Sequence, residues 1–198
     1  MVFRATLGIP LTDAARHWKM RLSETSSGDG TDSGFIRGCT ESDTADMLAI
    51  INEAAEAYRG VIPSDCFHDP YMPEAELRAE RRAGVEFVGY EVDGNLVGVM
   101  GIQPVGDVDL VRHAYVRSVY QGRRIGSALL AHLRARSQRR ILIGTWADAT
   151  WAIAFYERHG FALVPPGAKA DLLRTYWTVS ERQIHASVVL AFPPLASA

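Results

Sequence analysis

Along this chain the apolar positions fall into short, sharply punctuated runs, and their spacing predicts a series of elements. Phe35 to Cys39 reads as a short strand. Met47, Ile50, Ile51, Ala54 and Tyr58 then recur at the spacing of one helix face, after Thr40 and Asp43, which match a capping box, and before Gly60, which stops the helix. Val61 to Met72 is irregular. Pro73 suits a first helical position, with Glu74 and Glu76 near the positive pole and Arg81, Arg82 and Gly84 at the far end. Val85 to Val92 and Leu96 to Gln103 flank Asp93-Gly94, a strong hairpin signal. After a break at Pro104 and Gly106, a further strand, Val108 to Arg117, leads into a glycine-punctuated loop and a helix from Ile125 that buries Ala128, Leu129 and Leu133.

Ile141 to Trp146 is an apolar run of buried-strand length. Asp148 or Thr150 can cap a helix from Trp151 to His159, which Gly160 closes. Phe161 to Val164 is again strand, Pro165-Pro166 breaks it, Lys169 to Tyr176 reads as an extra helix, and Ile184 to Phe192 as the last strand. This order predicts a mixed α/β sheet rather than a repeated βαβ wheel. Ahead of it, Ser23 to Gly34 is a polar, glycine-rich linker, so the fold is expected to begin at Phe35, with residues 1–34 an extension and 35–198 one domain. Within the extension, Leu11 to Leu22 could form a short helix or remain disordered.

Composition narrows the class. With 198 residues, 47% of them hydrophobic, the chain is large enough for one full core. Its two cysteines, Cys39 and Cys66, make neither a disulfide framework nor a metal-ligand spacing, which suits a reducing compartment. No apolar run approaches the ~20 residues of a membrane span. The apolar residues from Val2 to Leu11 are interrupted by Arg4, Gly8 and Pro10, a poor signal-peptide core, and a cytoplasmic location is expected.

Charge changes the picture more. Between Leu110 and Ala147 stand eight arginines and no Asp or Glu; since the formal net charge is −2, the rest of the chain carries −10. Arg123 and Arg124 sit where a helix begins, at the pole that repels cations. A bound polyanion is the simplest compensation, held by the free N–H groups of the first turn and by the arginines around them.

The element order and two motifs resemble the GNAT superfamily of N-acetyltransferases, over about Phe35 to Phe192. Gln121-Gly122-Arg123-Arg124-Ile125-Gly126 resembles the family's phosphate loop, Q/R-x-x-G-x-G/A, with Arg124 at one glycine position. Phe155-Tyr156-Glu157-Arg158-His159-Gly160-Phe161 matches its F-Y-E-x-x-G-F box, although the Asn usual six residues earlier is Ala149 here. The resemblance implies a mostly antiparallel twisted sheet of about seven strands flanked by helices and splayed between the fourth and fifth. It implies acetyl-CoA as co-substrate in that splay. The pyrophosphate would take N–H groups from Gly122, Arg124, Gly126 and Ser127 in a loop that includes Gln121 and Ile125, and the pantetheine arm would pair with backbone at Tyr115 and Val116. Arg117 and Arg123 are candidates for the coenzyme's phosphates.

By the same resemblance Tyr156 would supply the proton for the departing thiolate, while a backbone N–H near Val116 would polarise the carbonyl. For the base, His113 comes first, with Asp109 and Asp107 beside it. Strict strand alternation places all three opposite Val116, so a direct role requires a bulge. The stretch from Tyr58-Arg59-Gly60 through Asp65, His68, Asp69 and Tyr71 is expected to wall the acceptor pocket. The expected activity is acetylation of a primary amine of a small molecule or amino acid, with no metal, no membrane and no nucleic-acid partner, and with a homodimer by family analogy. Two rivals stand beside it: a non-catalytic acyl-CoA sensor on the same fold, and a nucleic-acid-binding module suggested by the arginines, against which stands the lack of interleaved aromatic residues.

Overall fold

A computed structural model describes residues 4–5 and 34–195 of the chain. The expected helix from Leu11 to Leu22 and nearly all of the linker lie outside the described residues. Strands β1 (Phe35–Gly38), β2 (Glu86–Val92), β3 (Asn95–Val105), β4 (Val108–Val116), β5 (Arg140–Trp146), β6 (Ala162–Leu163) and β7 (Ser187–Phe192) form one seven-stranded sheet in the order β1-β2-β3-β4-β5-β7-β6. Every neighbouring pair is antiparallel except β4 and β5. A separate two-residue strand, Arg4–Ala5, pairs with Trp177–Thr178.

The helices are α1 (Thr44–Ala55), α2 (Glu74–Arg82), α3 (Ile125–Arg136), α4 (Thr150–Arg158), α5 (Pro166–Tyr176) and α6 (Glu181–His185). They divide the core by sheet face. On one face α1, α2, α5 and α6 close over Val99, Leu110 and Tyr115, with Met47, Ile50 and Ile51 wholly buried. On the other, α3 and α4 close over Met100, Ile102 and Val111 with Leu129, Leu130 and Leu133. The periodic residues are the buried ones, as hydrophobic burial on one helix stripe requires.

The β2–β3 hairpin turns at Asp93 and Gly94, both with positive φ (49° and 76°), the conformation for which an Asp-Gly pair is selected. The expected break at Pro104 is instead the exposed end of β3, and the turn itself is Gly106-Asp107. The last strand begins at Ser187 rather than Ile184, because Ser180 caps a short helix, α6, whose Ile184 is buried. Among the described residues no helix is long and apolar enough to cross a membrane.

Two features of β4 position everything that follows. It pairs with β5 only from Val108 to Leu110, opposite Arg140 to Leu142, and beyond this the two strands part. It also carries a bulge: Gly101 pairs with Arg112 but Val99 with Tyr115, and His113 has φ +50°. The bulge breaks strict alternation. Val111 and Val116 therefore share one face despite their opposite parity, while Arg112, His113 and Tyr115 turn to the other.

Candidate active site

Where β4 and β5 diverge, a cavity of about 660 Å³ runs through the sheet, from the start of α3 on one face to the residues after α1 on the other. Its first wall is main chain. Arg117 N–H donates to Val97 carbonyl at 2.9 Å, so the next pair, Val116 opposite Gly98, is one that does not exchange hydrogen bonds. The Val116 N–H thus points away from β3, into the gap, while its carbonyl accepts from Gln121 Nε2 at 3.1 Å. Tyr115 is the hydrogen-bonded partner of Val99, so of the two residues expected to meet the pantetheine arm only Val116 offers a free N–H.

At the mouth of this wall α3 begins with no side-chain cap, and the first helical bond recorded there runs from Ala128 N–H to Arg124 carbonyl. The N–H groups of Ile125, Gly126 and Ser127 therefore have no acceptor among the described residues, and the helix dipole adds partial positive charge to them. Arg124 itself adopts the left-handed conformation, φ +63° and ψ 11°, one turn after Gly122 at φ +79°. The loop thus keeps the shape a glycine would give it, with a guanidinium attached, at a cost of about 1 kcal/mol of backbone strain. Gln121, Gly122, Arg124, Ile125, Gly126 and Ser127 all line the cavity with Tyr115 and Val116.

Two of the expected phosphate arginines do not join them. Arg117 turns to α1, its Nη1 3.2 Å from Glu53 Oε2, and Glu53 also accepts the Ser118 N–H at 2.8 Å, which holds its carboxyl below the usual range. Arg123 lies with its guanidinium 5.1 Å from the centre of the Tyr120 ring, in a neighbouring hollow with Tyr90 and Val92.

Tyr156 stands on α4 as expected and lines the cavity, with its ring packed edge-on to Phe155 and Phe161. Burial pushes its hydroxyl well above the ordinary tyrosine range, so it stays protonated. No hydrogen bond to it is recorded among the described residues, which leaves the proton available. The box that carries it closes at Gly160, φ +84°, and Arg134 donates to the His159 carbonyl at 2.6 Å.

Of the residues expected to act as base, His113 borders the cavity and Asp109 and Asp107 lie away from it. Asp109 lies on the α3 face but at the paired end of β4, where it accepts from Ser137 Oγ at 2.6 Å and closes the end of α3; it is not part of the cavity wall. His113 borders the cavity, yet the bulge that could have aimed its ring there aims it at α2 instead. Its Nε2 is 3.4 Å from Glu80 Oε2, its ring stacks on Phe87 at 5.7 Å, and its side chain is 1% exposed. Arg112 completes this buried cluster, with Nη2 2.8 Å from Glu80 Oε2 and Nη1 donating to Gln103 at 2.9 Å. Burial would raise the Glu80 carboxyl, but His113 and Arg112 beside it hold it at about 2. Asp107 accepts from the Tyr176 hydroxyl at 2.6 Å.

On the far side of the sheet the wall is aromatic. Tyr58 and Tyr71, foreseen from the sequence, line it with Tyr115, Trp146, Trp151 and Trp177, which were not. Asp65 and Asp69 are engaged on the surface by Arg182 and Arg59 and stay outside it. No Asp or Glu belongs to the cavity wall among the described residues.

Comparison with known proteins agrees with this geometry. Residues 83–163 match the family described as the acetyltransferase (GNAT) domain. Among solved structures, the chain is similar to the PaiA N-acetyltransferase of Thermoplasma acidophilum in complex with coenzyme A, at 14% identity and a TM-score of 0.60 over 80% of this chain and 98% of that one. It is similar also to a GNAT-family acetyltransferase of Staphylococcus aureus Mu50, at 16% identity and a TM-score of 0.61 over 80% and 97%. A third likeness is to the ribosomal-protein-alanine N-acetyltransferase of Brucella melitensis, at 22% identity and a TM-score of 0.55 over 79% and 96%. Comparison with curated protein sequences gives no match.

Proposed function

We propose that this chain, whose residues 83–163 match the acetyltransferase (GNAT) domain family, is an N-acetyltransferase of the GNAT superfamily that uses acetyl-CoA to acylate a primary amine of a small molecule. The observation that carries the reading is the splay of β4 from β5, with free N–H groups at both of its ends: Val116 inside, and Ile125, Gly126 and Ser127 at the mouth. These fit a long ligand with an anionic head and an amide-bearing arm. The helix start with Gly122 and Arg124 would hold the pyrophosphate, and the Val116 edge would hold the arm as an added strand does. A thioester bound this way supplies the acyl group in activated form.

The remaining chemistry belongs to side chains. Tyr156 keeps a proton at Oη and, with no hydrogen-bond partner for that hydroxyl among the described residues, is the group suited to protonate a leaving thiolate. Among the described residues no carboxylate in the wall can take the amine's proton, so the amine is read as entering neutral or losing its proton to water. Half of the arginine-rich stretch is spent on internal partners, since Arg112, Arg117, Arg134 and Arg139 are engaged by Glu80, Glu53 and the carbonyls of His159 and Gly106. This disfavours the nucleic-acid reading.

The test is release of free thiol from acetyl-CoA over a panel of amines, with Tyr156→Phe beside the parent. The substitution should lower kcat by ~10²-fold while calorimetry finds coenzyme A affinity unchanged, because a proton given in the transition state contributes nothing to ground-state binding. Coenzyme A binding with no turnover on any amine would establish the sensor instead. Unchanged kcat in Tyr156→Phe would make solvent the proton source.

A further inference from the structure

We infer that the acceptor is an arylalkylamine, a primary amine carried on a flat aromatic body with no carboxylate and no second charge. The inference rests on the transferase reading above and names the substrate class of the same site. It follows from what the acceptor side of the cavity can and cannot recognise.

Its polar groups are hydroxyls and indoles, and none of them carries a charge. The Tyr71 hydroxyl lies near the Trp146 and Tyr115 side chains, and the Tyr58 hydroxyl near Thr145. Burial pushes all three tyrosines above their ordinary range, so none offers a charge. With no Asp or Glu in the wall among the described residues, the remote ammonium of a diamine or polyamine would lose its hydration without a counter-charge there. A carboxylate fares no better. Of the cations bordering the cavity, Arg112 and His113 are turned into the Glu80 cluster, and Arg124 and Arg158 belong to the starts and ends of α3 and α4 on the opposite face.

What the wall still offers is ring surface. Tyr58 and Tyr71 stack at 6.1 Å with 10° between their planes, and Tyr58 lies 5.5 Å from Trp151. Trp151 is 43% exposed, and of the exposed large apolar side chains among the described residues it alone also lines the cavity. An aromatic acceptor would cover that face and satisfy the preference of rings for offset or edge-on partners. Apolar surroundings also disfavour the ammonium form of the amine, which favours the neutral nucleophile that transfer requires.

The full-length protein would be assayed with acetyl-CoA and, as acceptors, phenethylamine, butylamine, spermidine, lysine and a short peptide with a free N-terminal alanine. Phenethylamine should exceed each of the others at least tenfold in kcat/KM. Trp151→Ala should bring its ratio to butylamine close to one, whereas Trp151→Phe, which keeps a ring, should retain most of it. A preference for lysine, spermidine or the peptide, or a ratio untouched by Trp151→Ala, overturns the inference. Should no amine be turned over, calorimetry of phenethylamine against the protein loaded with coenzyme A decides separately: saturable binding lost in Trp151→Ala upholds the aromatic cleft although the transferase reading has failed, and no binding overturns both.

Discussion

The two ends of the cavity recognise by opposite means. At the start of α3 the chain presents unsatisfied backbone donors and a strained Arg124, a site whose hydrogen-bonding capacity is left open for an anion. On the far side of the sheet the wall is aromatic, holds no carboxylate among the described residues, and presents mainly ring faces. The first end is built of contiguous main chain and depends little on side-chain identity. The second is assembled from Tyr58, Tyr71, Tyr115, Trp146, Trp151 and Trp177, on six separate segments, and depends on little else. A fold can thus keep one donor site while the acceptor site is rewritten by side chains alone.

Between the two ends stands β4, and the largest expected effect lies in what holds its bulge. Glu80→Ala would remove the carboxylate that buried Arg112 pairs with and should destabilise the protein by about 3–5 kcal/mol, read as a lowered denaturation midpoint. The sign of the pH dependence follows from the same carboxylate. Its folded value of about 2 lies below the unfolded 4.5, so the unfolded state binds more protons in between. The stabilisation is complete above about pH 5 and is lost as pH falls through that window, an acid transition that Glu80→Gln should weaken.

The donor end can be broken without touching the acceptor end. A Cβ on Gly126 would sit 3.5 Å from the Phe155 ring, so Gly126→Val should fold. The added methyls at the helix start should raise the KM for acetyl-CoA tenfold or more and leave the ranking of acceptors as it was. A changed ranking would show that the two ends are coupled. The smallest effect concerns Arg124: replacing it by Gly removes the left-handed strain and should stabilise the fold by about 1 kcal/mol. It also removes a cation, so a KM raised a few-fold would show that the guanidinium acts on the coenzyme, and an unchanged KM that the backbone alone does.

Much of the fold could be read from periodicity. The Asp93-Gly94 hairpin, the α1 stripe and the apolar run of β5 each depend on neighbours within a few residues, so local pattern suffices. The α5 and α6 region was less legible, because Ile184 satisfies a strand pattern and a short buried helix equally well. In the site, the loop from Gln121 to Ser127 and the position of Tyr156 were legible for the same local reason. His113 and Asp109 were not. Alternation along β4 fails at one residue with positive φ, and a histidine at that position gives no warning of it.

By itself the sequence determined the element order, the glycine-shaped loop with its excess of cations and the tyrosine at the end of α4, since each is a property of a short contiguous stretch. Only the tertiary structure decided which acidic partners engage the arginines, that His113 turns to Glu80, and that three tyrosines and three tryptophans from six segments enclose one aromatic cleft. Those outcomes depend on which partners compete for each side chain across the sheet, and that competition is settled by packing between residues far apart in the chain.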